Sequence, residues 1–187
     1  MNFSRQYEEE RMKTIKITYY QSPVGEMILG SIDGHLCMSD WKAERHREMI
    51  DRRISRYFGA TFEEGTSPII KQTIKEFKEY FAGKRRAFTV PILFSGTEFQ
   101  CQVWEVLRAI PYGETRSYAD IARAIGNPKA VRAVATANAT NPFSIIVPCH
   151  RVIGSNRTLT GYGGGLPAKQ YLLTLENAEN VLFPVNE

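Results

Sequence analysis

The chain has 187 residues, 43% of them hydrophobic and 24% charged, with a net charge of +4. That is the composition of a globular protein with room for one large domain or two small ones, and no apolar run is long enough to cross a bilayer. Residues 1–12 are polar and lack the apolar centre of a signal peptide, so a cytoplasmic protein is expected.

The three cysteines, Cys37, Cys101 and Cys149, are widely spaced and odd in number, which argues against a disulfide framework. The three histidines, His35, His46 and His150, form no metal-ligand spacing, and no metal or cofactor is expected. Charge is unevenly spread. Between Asp120 and Glu176 there is no acidic residue, while Arg123, Lys129, Arg132, Arg151, Arg157 and Lys169 fall there. A basic interval of this kind suits a polyanion such as nucleic acid.

Residues 13–41 read as a β-meander. Ile15, Ile17 and Tyr19 alternate with polar neighbours, Ser22-Pro23-Val24-Gly25 is turn chemistry, and Asp33-Gly34 is a two-residue hairpin signal. Residues 44–58 read as a helix with Ile50, Ile54 and Phe58 at helical spacing and arginines on its other face. Residues 59–67 read as a loop. Residues 68–81 form a second helix, with Pro68 near its start and Gly83 after its end. Residues 88–94 suit one more strand. This half shows no catalytic constellation.

Composition shifts at Ser95-Gly96-Thr97, which suggests a small α/β domain over 1–94 and a mainly helical one over 95–187. Thr97 is a candidate cap for a helix over 98–110, and Ser117 for a short helix over 118–125. Gly126-Asn127 is a tight turn, and a further helix follows over 129–138. Two short helices around a Gly turn fit a helix-turn-helix or any αα-corner. The second helix favours the former. Lys129, Arg132, Ala135, Thr136 and Ala139 share its outer side, a small and basic face suited to a narrow groove with one side chain inserted.

Ile145-Ile146-Val147-Pro148-Cys149-His150-Arg151-Val152-Ile153 places a Cys-His pair between two apolar runs. The runs read as short buried strands whose pairing breaks at Pro148. His150 is placed to take the Cys149 proton, directly or through a water; an inert core cysteine is the plain alternative. Residues 154–165 form a loop ending in Gly161-Tyr162-Gly163-Gly164-Gly165, either a wrap for a flat ligand or a hairpin tip. A last helix over 169–176 carries Glu176, which would hold the imidazole in its useful tautomer if the helix packs behind it.

Asn141-Pro142, the Ile-Val-Pro-Cys-His-Arg-Val run, Gly-Asn-Pro-Lys-Ala-x-Arg-Ala-Val over 126–134 and Gly-Tyr-x-Gly-Gly over 161–165 together resemble the O6-alkylguanine-DNA alkyltransferases, the methylated-DNA–protein-cysteine methyltransferases. The close matches cover the second half of the chain. The resemblance implies a ribonuclease H-like α/β N-terminal domain with a small antiparallel sheet, followed by a winged helix-turn-helix domain. It implies irreversible transfer of an alkyl group from O6-alkylguanine in duplex DNA, with O4-methylthymine as a second candidate substrate, to Cys149, by a monomer acting once. It also implies roles: His150 and Glu176 activate the thiol, Tyr118 serves the phosphate and purine, and Arg132 enters the duplex where the base leaves. Lys129, Ala135 and Thr136 would lie on the DNA. Asn141, Val147, Tyr162, Gly163 and Gly164 would form the guanine pocket. Gly163 departs from members that carry a serine there, and the zinc ligands of some N-terminal domains are missing. A lesion-binding module without chemistry would lack Cys149. A cysteine hydrolase would leave the helix-turn-helix unexplained.

Overall fold

The computed structural model describes residues 12–178. Its first half is built on a four-stranded sheet: β1 (Lys13–Ser22), β2 (Gly25–Ile32), β3 (His35–Trp41) and β4 (Ala60–Glu64), in the order β3-β2-β1-β4. Asp33 and Gly34 both have positive φ (48° and 75°), the backbone that a tight β2–β3 hairpin requires. The first strand alternates as read, with Ile15 and Ile17 inward. Helix α1 (Arg47–Phe58) covers one face of the sheet, where Ile50 and Ile54 pack with Ile15, Cys37 and Met38. Gly59 then turns left-handed at φ 57° and hands the chain straight into β4.

Two expectations change here. The segment after Gly59 is a strand, because β4 pairs with β1 in parallel along Lys13–Ile17; the sheet is therefore mixed rather than antiparallel. Residues 88–94 form only a single bridge, Leu36 to Ile92, since Pro91 has no N–H to extend a ladder.

Helix α2 (Pro68–Phe81) starts at Ser67, whose hydroxyl accepts from the Ile70 N–H. Its Phe77 and Tyr80 enter the larger core, which runs on through the second half of the chain. There, α3 (Glu98–Arg108) and α4 (Tyr118–Ala124) each begin with a capping box, Thr97 with Gln100 and Ser117 with Asp120. Helix α5 (Val131–Ala139) packs on both, and the Trp104 Nε1–H of α3 donates to the Ala137 carbonyl at 2.9 Å. A two-stranded parallel pair, β5 (Arg116–Ser117) with β6 (Val152–Ile153), and α6 (Leu166–Leu175) complete the unit.

The central apolar stretch is not two strands. Val152–Ile153 does pair, but Ile145 to Val147 is a turn. Asn141 replaces the ladder with its side chain: Oδ1 accepts from the Phe143 N–H at 3.0 Å and Nδ2 donates to the Val147 carbonyl at 2.9 Å. Ile145 sits at φ 73°, a costly backbone for a β-branched residue, held by burial on all sides.

Candidate active site

Pro148 ends the turn, and Cys149–Arg151 form one turn of 3-10 helix. That turn carries Cys149 to the edge of a cavity of about 640 Å³, which Tyr118, Asn141, Tyr162, Gly163 and Gly164 also line. Ala135 of α5 lines the same cavity, so the helix read from the sequence as a DNA-facing one borders the opening that leads to the cysteine. Arg132 and Thr136 are exposed on α5, and Lys129 is exposed just before it. Val147 is buried beneath, holding Asn141 through its carbonyl.

Glu176, at the end of α6, is where the site's hydrogen bonds converge. Its Oε1 accepts from His150 Nε2–H at 2.8 Å and from the Tyr80 hydroxyl at 2.6 Å. Arg151 donates to both oxygens, from Nε at 2.8 Å and Nη2 at 3.0 Å. Burial by itself would raise this carboxyl, but the hydrogen bonds from His150 and Arg151 and the charge of the Arg151 guanidinium outweigh it and hold it well below the usual carboxylate range. An ionised carboxylate only accepts, so His150 keeps its proton on Nε2 and its lone pair on Nδ1. Nδ1 is buried and has no hydrogen-bond partner. Burial also lowers the His150 pKa, against the pull of Glu176, so the ring is neutral at neutral pH.

Cys149 is 5% exposed. Burial pushes its thiol up to about 11, while a hydrogen bond from Asn141 and the nearby ammonium of Lys169 pull the other way. At neutral pH it therefore rests as a thiol. Tyr118 lies across the same cavity with its hydroxyl 3.0 Å from Thr160 Oγ1, and burial raises its phenol.

Several residues of the site do not stand out in the sequence. Arg151 and Lys169, read there as part of a basic surface, are buried at 5% and 0% exposure. Arg151 serves Glu176. Lys169 donates to the Val152 and Thr160 carbonyls, at 2.6 and 3.2 Å, and ties β6 to the glycine loop. From the first half come Tyr80 and the pair of buried Asp40 with half-buried Arg47; Asp40 Oδ1 accepts from the Ser144 hydroxyl at 2.8 Å and Oδ2 from Arg47 at 2.8 Å. The Ser39 N–H donates to the Pro142 carbonyl and Arg53 to that of Thr140, both at 2.9 Å. The N-terminal unit thus grips the segment that leads to the cysteine. The one signal for this in the sequence is weak: Asp40 is a charged residue inside an apolar strand. Among the described residues, no group of three His, Cys, Asp or Glu side chains is placed to hold a metal ion. No helix among them is long and apolar enough to cross a membrane.

Two family profiles match in succession. The 6-O-methylguanine DNA methyltransferase ribonuclease-like domain covers residues 15–94, and the DNA binding domain of the same family covers 98–178. A methylated-DNA–protein-cysteine methyltransferase of Methanosarcina acetivorans is 44% identical over 160 residues, 85% of this chain and 96% of that one. The constitutive enzyme of that name from Bacillus subtilis is 41% identical over 169 residues, 86% and 96% of the two chains. The Mycobacterium tuberculosis OGT crystallised in complex with DNA has the same fold, with a TM-score of 0.73 and 39% identity over 90% of this chain and 94% of that one. With a buried cysteine, an oriented imidazole and a DNA-binding helical domain on one chain, the protein belongs to the 6-O-methylguanine DNA methyltransferases, transferases that repair DNA by moving a methyl group onto a cysteine.

Proposed function

We propose that the protein acts in the cytoplasm as a monomer, removing the alkyl group from O6-alkylguanine in duplex DNA once and keeping it on Cys149. The observation that carries this reading is the His150–Glu176 bond, which leaves Nδ1 buried and without a partner on the residue next to Cys149, whose own side chain lines the cavity. The Cys149 proton passes to His150 Nδ1, directly or through a water, and Glu176 stabilises the imidazolium that forms. The thiolate attacks the alkyl carbon; an S–C bond forms and the C–O6 bond breaks. Tyr118 protonates the departing purine. Burial raises the phenol, so Tyr118 still carries its proton when the C–O6 bond breaks. The thioether has no ready leaving group, so each molecule turns over once.

The target base must leave the stack, at a cost of a few kcal/mol. Helix α5 suits the minor groove: Ala133, Thr136 and Ala139 let it approach closely, and exposed Arg132 fills the vacated space, with Lys129 near the phosphates. Incubation with a duplex bearing O6-methylguanine should add one methyl to the intact protein, at Cys149, and none to Cys149→Ala. Mass spectrometry reads both. Multiple turnover, or a methyl on another residue, overturns the proposal.

A further inference from the structure

The first half of the chain meets the site at two places. Trp41 and Glu44 line the cavity, and a Cβ on Gly163 would overlap Glu44 Oε2. Tyr80 of α2 goes deeper, to the carboxylate that holds His150.

Tyr80 is fully buried in an aromatic cluster, with Phe81, Phe88 and Tyr112 at ring distances of 5.3, 5.5 and 6.3 Å. A phenylalanine would fill that place as well, and burying a hydroxyl costs free energy unless it is bonded. What the hydroxyl adds is its 2.6 Å bond to Glu176 Oε1. The same oxygen accepts from His150 Nε2–H at 2.8 Å and from Arg151 Nη2 at 3.0 Å. Tyr80 and His150, from opposite halves of the chain, therefore share one acceptor atom.

The sharing bears on the proton. To take the Cys149 proton, His150 must rest neutral, with its lone pair on Nδ1. A buried carboxylate bonded to the imidazole alone would favour the imidazolium, which has no lone pair to offer. Each further donor on Oε1 draws negative charge away from the ring. We infer that Tyr80 is a positioning residue, whose hydroxyl tempers Glu176 so that His150 stays an unprotonated acceptor. It acts through Glu176 and touches no substrate. The inference rests on the reading of His150 as the proton acceptor.

Other groups face the pair from each neighbouring element. Tyr112 and the Gly113 N–H come from the turn after α3, with Arg86 over the Tyr112 ring. Cys149 and Arg151 flank His150, Tyr162 comes from the glycine loop, and Lys169 from α6. Burial keeps the phenols of Tyr80, Tyr112 and Tyr162 protonated, Cys149 lies at about 11, and Lys169 is brought down to about 8. Asp40, near the cavity and at about 6, titrates alike with or without the Tyr80 hydroxyl.

Tyr80→Phe keeps the ring and removes the bond. A hydrogen bond to a charged group is worth about one to two pH units, and the imidazole feels part of it, so the His150 pKa should rise by about one unit. The readout is the single-turnover methyl-transfer rate constant at about pH 5 divided by that at about pH 7.5. This ratio should be at least about twofold lower in Tyr80→Phe than in wild type, with the rate at the higher pH nearly unchanged. Damage to the fold alone would lower both rates by one factor; an unchanged ratio overturns the inference. A second measurement needs no variant. With isotope-labelled histidine followed by nuclear magnetic resonance at about pH 6, wild-type His150 should carry a proton on Nε2 and none on Nδ1. An imidazolium there also overturns the inference. Absence of any methyl on wild-type Cys149 at either pH would instead overturn the reading on which it rests.

Discussion

Replacing Glu176 by Gln changes one atom and isolates what the buried carboxylate does. The side chain keeps one acceptor oxygen. If that oxygen stays on Tyr80 and His150, the new NH2 faces the Arg151 Nε–H and the Gly113 N–H, which now lie 2.8 and 3.4 Å from Oε2. Arg151 is 5% exposed and pairs with no other carboxylate among the described residues; it keeps only the Nη2 bond to the retained oxygen, at 3.0 Å, and the Nη1 bond to the Ile110 carbonyl, at 2.6 Å. Removing one partner of a buried ion pair costs about 3–5 kcal/mol, a large share of the roughly 5–15 kcal/mol that holds a domain folded. For a chain of this size each kcal/mol moves the melting temperature by about 2–4 °C, so a drop of about 10 °C is expected. The chemistry suffers separately. A neutral amide still orients His150 but no longer stabilises its cation, and loss of assisted proton transfer is worth about a hundredfold in rate. Circular dichroism melting, followed by single-turnover methyl transfer well below the midpoint, measures both effects. A variant that melts within about 2 °C of wild type and reacts normally would refute the reasoning.

Two further outcomes follow from other parts of the structure. Arg132→Ala should slow repair of duplex DNA while leaving reaction with free O6-methylguanine base nearly unchanged; equal losses on both would remove Arg132 from base extrusion. Asp40 supplies a pH signature. Burial pushes its carboxyl up to about 6, against Arg47, Ser144 and the Trp41 N–H. A raised carboxyl binds its proton more tightly in the folded chain, so its contribution to stability is full below about pH 4 and is lost as pH rises through about 6. Denaturant unfolding of wild type and Asp40→Asn should therefore differ progressively in the variant's favour across that window. A difference independent of pH would count against the burial argument.

The sequence carried the second half of the fold better than the first, for identifiable reasons. Thr97 and Ser117 mark their helices because capping is local chemistry between residues three apart. Cys149, His150 and Glu176 were readable as a nucleophile, a base and a carboxylate, and the structure brings the last two into contact. What failed was long-range. Strand β4 exists because β1 pairs with it, and nothing within residues 59–67 announces that. The turn at Ile145 looks like a strand because hydrophobicity reports burial, whereas Asn141 decides the backbone path. Arg151 and Lys169 read as surface cations, since a sequence shows charge and conceals its depth. Tyr80, Asp40, Trp41 and Glu44 reach the site only after the sheet has folded against the helices.

The overlap between Glu44 and any side chain at position 163 has a historical consequence. Two positions more than a hundred residues apart share one small volume, and only one of them can fill it. A lineage that acquired serine at 163 would first have had to shorten or swing away its residue at 44. Substitutions at the two places should therefore arrive as a linked pair in any relative that made the exchange, and a serine found at 163 should predict a smaller residue at 44.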